Sequence, residues 1–259
     1  MTQPARSRAT YPSLEGRTVF LTGGGTGIGA GIVEAFCAQG SKVAFVDIKE
    51  AESRALCESL KTVSATPPLF FYCDLRDIGA LRRAIEEAQQ AFGNIIVLIN
   101  NAADDTRHKP SEVTPEYWNE RLAINLTPSF FAAQAVYPQM QAAGGGSIIN
   151  FGSISWMSCQ GGMPGYTASK AAMLGLSRGL ARDYGPARIR VNTLVPGWVM
   201  TARQLEHWVG EAEEKLIDQS QCLPGRLTPE DIASMALFLA ADDSAMITAQ
   251  SFIVDGGWV

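Results

Sequence analysis

Little in the sequence could hold a metal or a disulfide framework. Histidine occurs twice, at His108 and His207, and cysteine five times, an odd number with no CxxC pair. Neither zinc-ligand spacing nor a matched set of bridges can be drawn from them, so no metal is expected and the thiols are read as free and buried. Long apolar runs are also missing: stretches such as 95–99 fall far short of the ~20 residues that span a bilayer, which argues against a membrane protein. No block of five like charges occurs, and 21 Lys and Arg stand against 26 Asp and Glu, a balance that disfavours nucleic acid and anionic membrane as partners. Residues 1–11 carry Arg6 and Arg8 without the apolar segment of a secretory signal and read as a loose arm of a cytoplasmic protein. With no Pro-, Ser- or charge-rich linker and no repeat, the 259 residues, 46% of them hydrophobic, are expected to form one domain over 1–259.

What is present is an alternation. Short runs rich in Val, Ile and Phe at 18–21, 42–46, 69–73, 95–99, 147–151, 190–194 and 251–254 are nearly continuous in apolar character, as strands covered on both faces must be. Between them lie helical patterns near 28–39, 51–60, 78–92, 115–140, 166–184 and 229–240, each long enough for a crossover. The spacing predicts an α/β doubly wound Rossmann fold: a parallel sheet of about seven strands with helices on both faces. The one long irregular insertion is 196–227.

The first strand runs into Thr22-Gly23-Gly24-Gly25-Thr26-Gly27-Ile28-Gly29, where a helical pattern begins. Glycines let the backbone turn sharply and approach a pyrophosphate, which a helix N-terminus favours through its unpaired N–H groups and dipole. Asp47 closes the second strand 18 residues beyond Gly29, near the acidic position that accepts hydrogen bonds from a ribose diol and would repel a 2′-phosphate. That favours NAD over NADP. Asp47 with Glu50 also fits the spacing of a helix cap, and Asp74 and Asp77 serve equally well as caps or as contacts to adenine.

Tyr166 and Lys170 lie four apart in Tyr166-Thr167-Ala168-Ser169-Lys170 and would share one helix face. An ammonium beside a phenol stabilises the phenolate and draws its pKa toward the working range, which makes proton exchange with an alcohol feasible. Ser153, 13 residues upstream at a strand end, could hold a substrate oxygen. Taken singly, each has a plain structural role as well: a half-buried anchor, a solvated lysine, a turn serine.

Together these residues resemble the short-chain dehydrogenase/reductase family in its NAD(P)-dependent form, over almost the whole chain: Thr22-Gly23 through Gly29, Asp47, Asp74, Asn100-Asn101-Ala102-Ala103, Asn125, Ser153, Tyr166 with Lys170, Pro196-Gly197 and Thr201. The resemblance implies that Tyr166 is the catalytic acid/base, that Lys170 holds the nicotinamide ribose and lowers the Tyr166 pKa, that Ser153 orients the substrate oxygen and that Asn125 supports a proton relay through water. It carries cofactor binding to Gly23, Thr26, Gly27, Ile28, Gly29, Asp47, Asp74, Leu75, Asn101, Ala102, Pro196, Gly197, Val199 and Thr201, besides Tyr166 and Lys170. Ala103 departs from the usual glycine without removing a functional group. A homotetramer is implied, with helices around Asn125 and Tyr166 and the C-terminal Asp255-Gly256-Gly257-Trp258-Val259 near interfaces.

A narrower similarity is to the aldose 1-dehydrogenases of this family, which oxidise C1 of free xylose, arabinose or galactose to lactones. It rests on Asp104-Asp105-Thr106-Arg107-His108, on Asn150 to Trp156, and on Pro196-Gly197-Trp198-Val199 before Thr201-Ala202-Arg203-Gln204. A polyol pocket needs fixed polar groups and a flat apolar surface. Asp105, His108, Ser155, Gln160 and Arg203 supply the first with Ser153 and Tyr166, and Trp156 and Trp198 the second, although each also has a plain reading as loop or core. The segment 196–227 is expected to fold over the substrate as a lid. The alternatives are a dehydrogenase or ketoreductase for a polyol, a 3-oxoacyl thioester or a steroid, and a non-enzymatic sensor of NADH.

Overall fold

The computed structural model describes residues 9–259. Seven parallel strands form one sheet among them, in the order β3-β2-β1-β4-β5-β6-β7: β1 (Thr18–Thr22), β2 (Lys42–Asp47), β3 (Leu69–Tyr72), β4 (Ile95–Asn100), β5 (Gly146–Phe151), β6 (Ile189–Pro196) and β7 (Ser251–Val254). Each predicted strand is present, displaced by a residue or two at its ends. The central strands are buried on both faces because helices cover both. On one face α1 (Gly27–Ala38) and α9 (Pro229–Ala240) close Ile32, Phe36, Phe45, Ile99 and Leu237 into a core; on the other, α3 (Ile78–Phe92) and α5 (Thr127–Ala142) enclose Leu81, Ile85, Leu98, Val136 and Met140. From β1 the chain winds to β2 and β3 on one side, then returns to β4 and winds the other way. Strand order reverses between β1 and β4, so the crevice beyond their carboxyl ends is where a ligand fits.

The helical pattern predicted over 115–140 divides. Pro128 has no N–H and its ring clashes with the turn before it, so α4 (Pro115–Asn125) stops, Leu126 departs to φ −132°, and α5 starts afresh. The insertion after β6 is less irregular than its sequence suggested: it holds α7 (Ala202–His207) and α8 (Glu211–Ser220), closed at its base by a bridge between Val199 and Leu227. The C-terminal tail straps the end of α8. Leu223 N–H and Cys222 Sγ donate to the carbonyls of Gly256 and Gly257, and the buried Asp255 carboxylate accepts from the Gly257 and Val259 amides.

A buried polar ladder seats α6 (Pro164–Tyr184) on the sheet. Asn100 Nδ2 donates to Asn150 Oδ1, Asn150 Nδ2 to Ser177 Oγ, and Thr193 Oγ1 to the same Ser177 hydroxyl. Directional bonds of this kind fix one register for the helix, where apolar packing alone would tolerate several. Residues 1–8 of the arm lie outside the described residues; Ala9 and Tyr11 are tied to the Gln39 side chain. All five thiols are free, but only Cys37 and Cys73 are buried, and Cys159 and Cys222 are exposed. No helix among the described residues is long and apolar enough to cross a membrane.

Candidate active site

One cavity of about 1240 Å³ runs along the carboxyl edge of the sheet. At its cofactor end the β1–α1 loop is fixed by Asn101, whose Nδ2 donates to the carbonyls of Thr22 and Gly23 while the amides of Asn101 and Ala102 donate to Thr22 Oγ1. Gly23 has φ +72°, and a Cβ there would stand 2.8 Å from Ala102 Cα; a Cβ on Gly29 would collide with the Gly23 carbonyl. Only glycine permits this flat approach. Thr26, the N-cap of α1, makes no side-chain cap bond, so the first amides of α1 are available to an anion at the cavity wall. Every residue assigned above to the cofactor lines the cavity.

Asp47 does not cap α2 (Glu50–Leu60), whose N-cap is Lys49. One carboxylate oxygen accepts from the Gly25 amide at 2.8 Å and the other from the Lys49 amide at 2.9 Å, which binds the glycine loop to the end of β2. Between Asp74 and Asp77 the cap is Asp77, which accepts from Ala80 N–H. Asp74 is gripped by Arg76, which bridges onward to Glu120, and that guanidinium holds its carboxyl below the usual range.

At the other end Tyr166 stands in the first turn of α6 and lines the cavity with Ser153. Lys170, 2% exposed, donates through Nζ to the Phe151 carbonyl at 2.9 Å and lies 5.7 Å from the Tyr166 ring centroid. Burial governs both groups. It pushes the Tyr166 hydroxyl up to about 12 although the Ser153 side chain acts the other way, with the Asp105 carboxylate adding to the rise and Arg107 opposing it. It pushes Lys170 down to about 8. Desolvation disfavours the charged form of each group, and the groups that draw the phenol down are Ser153 and Arg107 rather than Lys170. Asn125, buried, is turned away from the cavity: its Oδ1 accepts from the Asp104 amide and its Nδ2 donates to the Asp104 carbonyl, so its side chain clamps the loop after β4.

The rim shows a mixed outcome. Asp105, Ser155, Gln160, Trp198 and Arg203 line the cavity with Ser153 and Tyr166. Ser155 is 3% exposed with its hydroxyl oxygen unpartnered. His108 and Trp156 do not line it, contrary to expectation. His108 packs on Tyr117, its Nδ1 near that hydroxyl and the Thr106 carbonyl. Trp156, last in the turn Ile154–Trp156, lines a separate shallow groove with Ser155, Cys159 and Pro164. Sequence reasoning missed Arg121, Gln204 and Trp258, all on the wall; Trp258 stands 6.3 Å from Trp198. Its only signal was an aromatic side chain after two glycines. Among the described residues no group of three His, Cys, Asp or Glu could hold a metal.

The sequence model of the family described as Enoyl-(Acyl carrier protein) reductase matches residues 23–259. "Probable galactose dehydrogenase" of Rhizobium meliloti is 45% identical over 99% of this chain and 99% of its own. D-xylose 1-dehydrogenase of Caulobacter vibrioides is 44% identical over 97% and 99%. Among solved structures, a blue fluorescent protein from a metagenomic library in complex with NADPH superposes with a TM-score of 0.86 at 35% identity, covering 95% of this chain and 99% of that one. With the reversed strand order, the glycine loop and the Ser153–Tyr166–Lys170 arrangement, these matches place the chain in the short-chain dehydrogenase/reductase family of nicotinamide-dependent oxidoreductases.

Proposed function

We propose that the protein oxidises C1 of a free aldose, a pentose or hexose, to its lactone with NAD as the partner. The observation that carries this is the placement of Ser153, Tyr166 and the buried Lys170 in the same cavity as the glycine loop. The cofactor supplies one thing, a ring that takes the hydride from C1. Tyr166 takes the hydroxyl proton, Ser153 holds the oxygen it leaves, and Lys170, braced on the Phe151 carbonyl, holds the nicotinamide ribose. Asp47 at the far end accepts from the adenosine ribose and repels a 2′-phosphate, the reason for preferring NAD. Asn125 acts by holding the loop that bears Asp104 and Asp105.

The sugar reading is supported by the relatives named for galactose and xylose and by a rim that combines polar Asp105, Ser155, Gln160 and Arg203 with the indoles of Trp198 and Trp258. Hydroxyls and ring C–H faces call for that combination. The segment 196–227 closes over the substrate as a lid within one domain spanning 1–259, and the active form is a cytoplasmic homotetramer. NADH formation followed across pentoses, hexoses, deoxyhexoses, polyols, steroids and apolar alcohols tests the reading. An aldose is expected to give the highest kcat/KM, and preference for an apolar alcohol or steroid would overturn the substrate class.

A further inference from the structure

Residues 255–259 follow β7 with no helix or strand of their own, yet their backbone is closely tied. The three carbonyls from Asp255 to Gly257 accept from Gln221 Nε2 at 3.2 Å, the Leu223 amide at 2.9 Å and Cys222 Sγ at 3.2 Å. The Asp255 carboxylate accepts from the Gly257 and Val259 amides at 2.8 and 2.9 Å. The turn is thus closed on itself and on the end of α8. Glycines let it seat this tightly. Gly257 has φ +85° and a Cβ there would stand 2.9 Å from Cys222 Cβ, while a Cβ on Gly197 would stand 2.7 Å from Asp255 Cα. Gly197 also donates its amide to the Val254 carbonyl at 2.9 Å, which sets the stem of Trp198 against the base of the turn. Of the five residues, Trp258 is the one on the cavity wall. Its ring centroid lies 6.3 Å from that of Trp198 at an angle of 49°, within the roughly 4.5–7 Å of rings in contact, so no sugar ring fits between the two. The half-buried indoles make one bent apolar wall instead. Trp198 is fixed from its far side, where Nε1 donates to Gln204 Oε1 at 2.9 Å.

We propose that this turn is a substrate-recognition element, and that Trp258, with Trp198, is the specificity-determining residue that selects a closed sugar ring over an open-chain polyol. A pyranose presents several C–H groups on one face of a fixed ring. An apolar wall covers them together while the polar groups of the rim take the hydroxyls. An alditol of the same carbon number carries similar hydroxyls on a freely rotating chain, so it must give up rotamer freedom to present a comparable face. The inference rests on the aldose reading above and adds to it the place where the ring itself is recognised.

Inhibition of aldose oxidation in the full-length protein tests it, with paired probes that lack the anomeric hydroxyl: 1,5-anhydro-D-galactitol against galactitol, and 1,5-anhydroxylitol against xylitol. The first of each pair keeps the ring and the second is open. Trp258→Ala is expected to raise the Ki of the ring probes, and KM for the aldose, by about tenfold, the weight of one aromatic face. The Ki of the open probes is expected to move by about twofold or less. Trp258→Phe should recover most of the loss and Trp258→Leu should not, because leucine restores apolar volume without a flat face. Gly257→Ala, which disturbs the turn and keeps the indole, should raise the ring Ki in the same direction. An unchanged ring Ki in Trp258→Ala, equal losses for ring and open probes, or full recovery in Trp258→Leu would overturn the proposal; the Phe and Leu variants decide the matter should Trp258→Ala not fold. A parent protein that turns over no aldose would instead remove the reading beneath it.

Discussion

Arg121 is the most strongly committed charge near the cavity, and its loss has a calculable cost. The residue is 6% exposed, donates to Asp104 Oδ2 at 2.7 Å and lies over the Tyr117 ring at 4.9 Å. Removing one partner of a buried ion pair costs ~3–5 kcal/mol because the other is left desolvated. Asp104 is about a third exposed and keeps the Thr106 amide and hydroxyl as donors, which reduces the expected cost of Arg121→Met to about 2–3 kcal/mol. For a chain of this length that is a fall of about 5–10 °C in Tm, measured at fixed protein concentration because assembly contributes to apparent stability. Burial alone would raise the Asp104 carboxyl; Thr106 and Arg121 overcome it and hold the group below the usual carboxylate range. A depressed folded-state pKa gives stability that is present above the unfolded value and lost as pH falls through the folded one. The gap between parent and variant should therefore narrow below about pH 4. A Tm within about 1 °C of the parent at neutral pH, or a gap that ignores acid, would refute this account of the pair.

Tyr166→Phe is expected to lower turnover by about 10²–10⁴-fold, the contribution of a positioned acid/base group, while NADH affinity by fluorescence titration stays within about twofold; retained turnover would exclude Tyr166 as proton acceptor. Asp47→Ala removes a charge and the acceptor for the Gly25 amide, so the kcat/KM ratio of NAD to NADP should fall by about tenfold or more, and an unchanged ratio would remove Asp47 from cofactor choice. Lys170, pushed down to about 8 by burial, binds fewer protons in the folded than in the unfolded chain between pH 8 and its ordinary value near 10.5. Stability must rise with pH across that window, so the parent should gain on Lys170→Met by up to about 3 kcal/mol between those limits in urea titrations. A pH-independent difference would show that the lysine is not held against its charge.

The sheet and the cofactor end were legible because their determinants are local. Continuous apolar runs specify strands covered on both faces, and the glycines of the first turn act through the backbone, so residue type and order suffice. The break at Leu126 is written in the sequence too, as Pro128, but the apolar periodicity runs on through it and hides it. Asp47 shows where order alone stops: its spacing to Glu50 suited a cap, whereas its position at the end of β2 aims the carboxylate at Gly25, since β1 and β2 pair in register from Thr18 with Lys42 to Thr22 with Val46.

The substrate rim was harder to read because its polar residues answer one another across long stretches of chain. Asp105 suits a hydroxyl ligand by type, yet both its oxygens are engaged by residues about a hundred positions later, and His108 by Tyr117. A turn of three residues decides that Ser155 borders both the cavity and the groove and Trp156 the groove alone, which no composition argument could settle. The pairing has a chemical consequence. A sugar hydroxyl that reaches Asp105 meets a carboxylate already satisfied by α7, so it must share or displace an existing bond, whereas the unpartnered Ser155 oxygen has almost no accessible surface and is met only if the turn Ile154–Trp156 shifts. Buried polar groups left unpaired penalise the ligand that fails to meet them. Discrimination among sugars by hydroxyl pattern therefore falls on Asp105, where a hydroxyl that fails to replace the Arg203 or Gln204 bond it displaces leaves a polar group unpaired, and Asp105→Ala should narrow the spread of kcat/KM across epimeric aldoses.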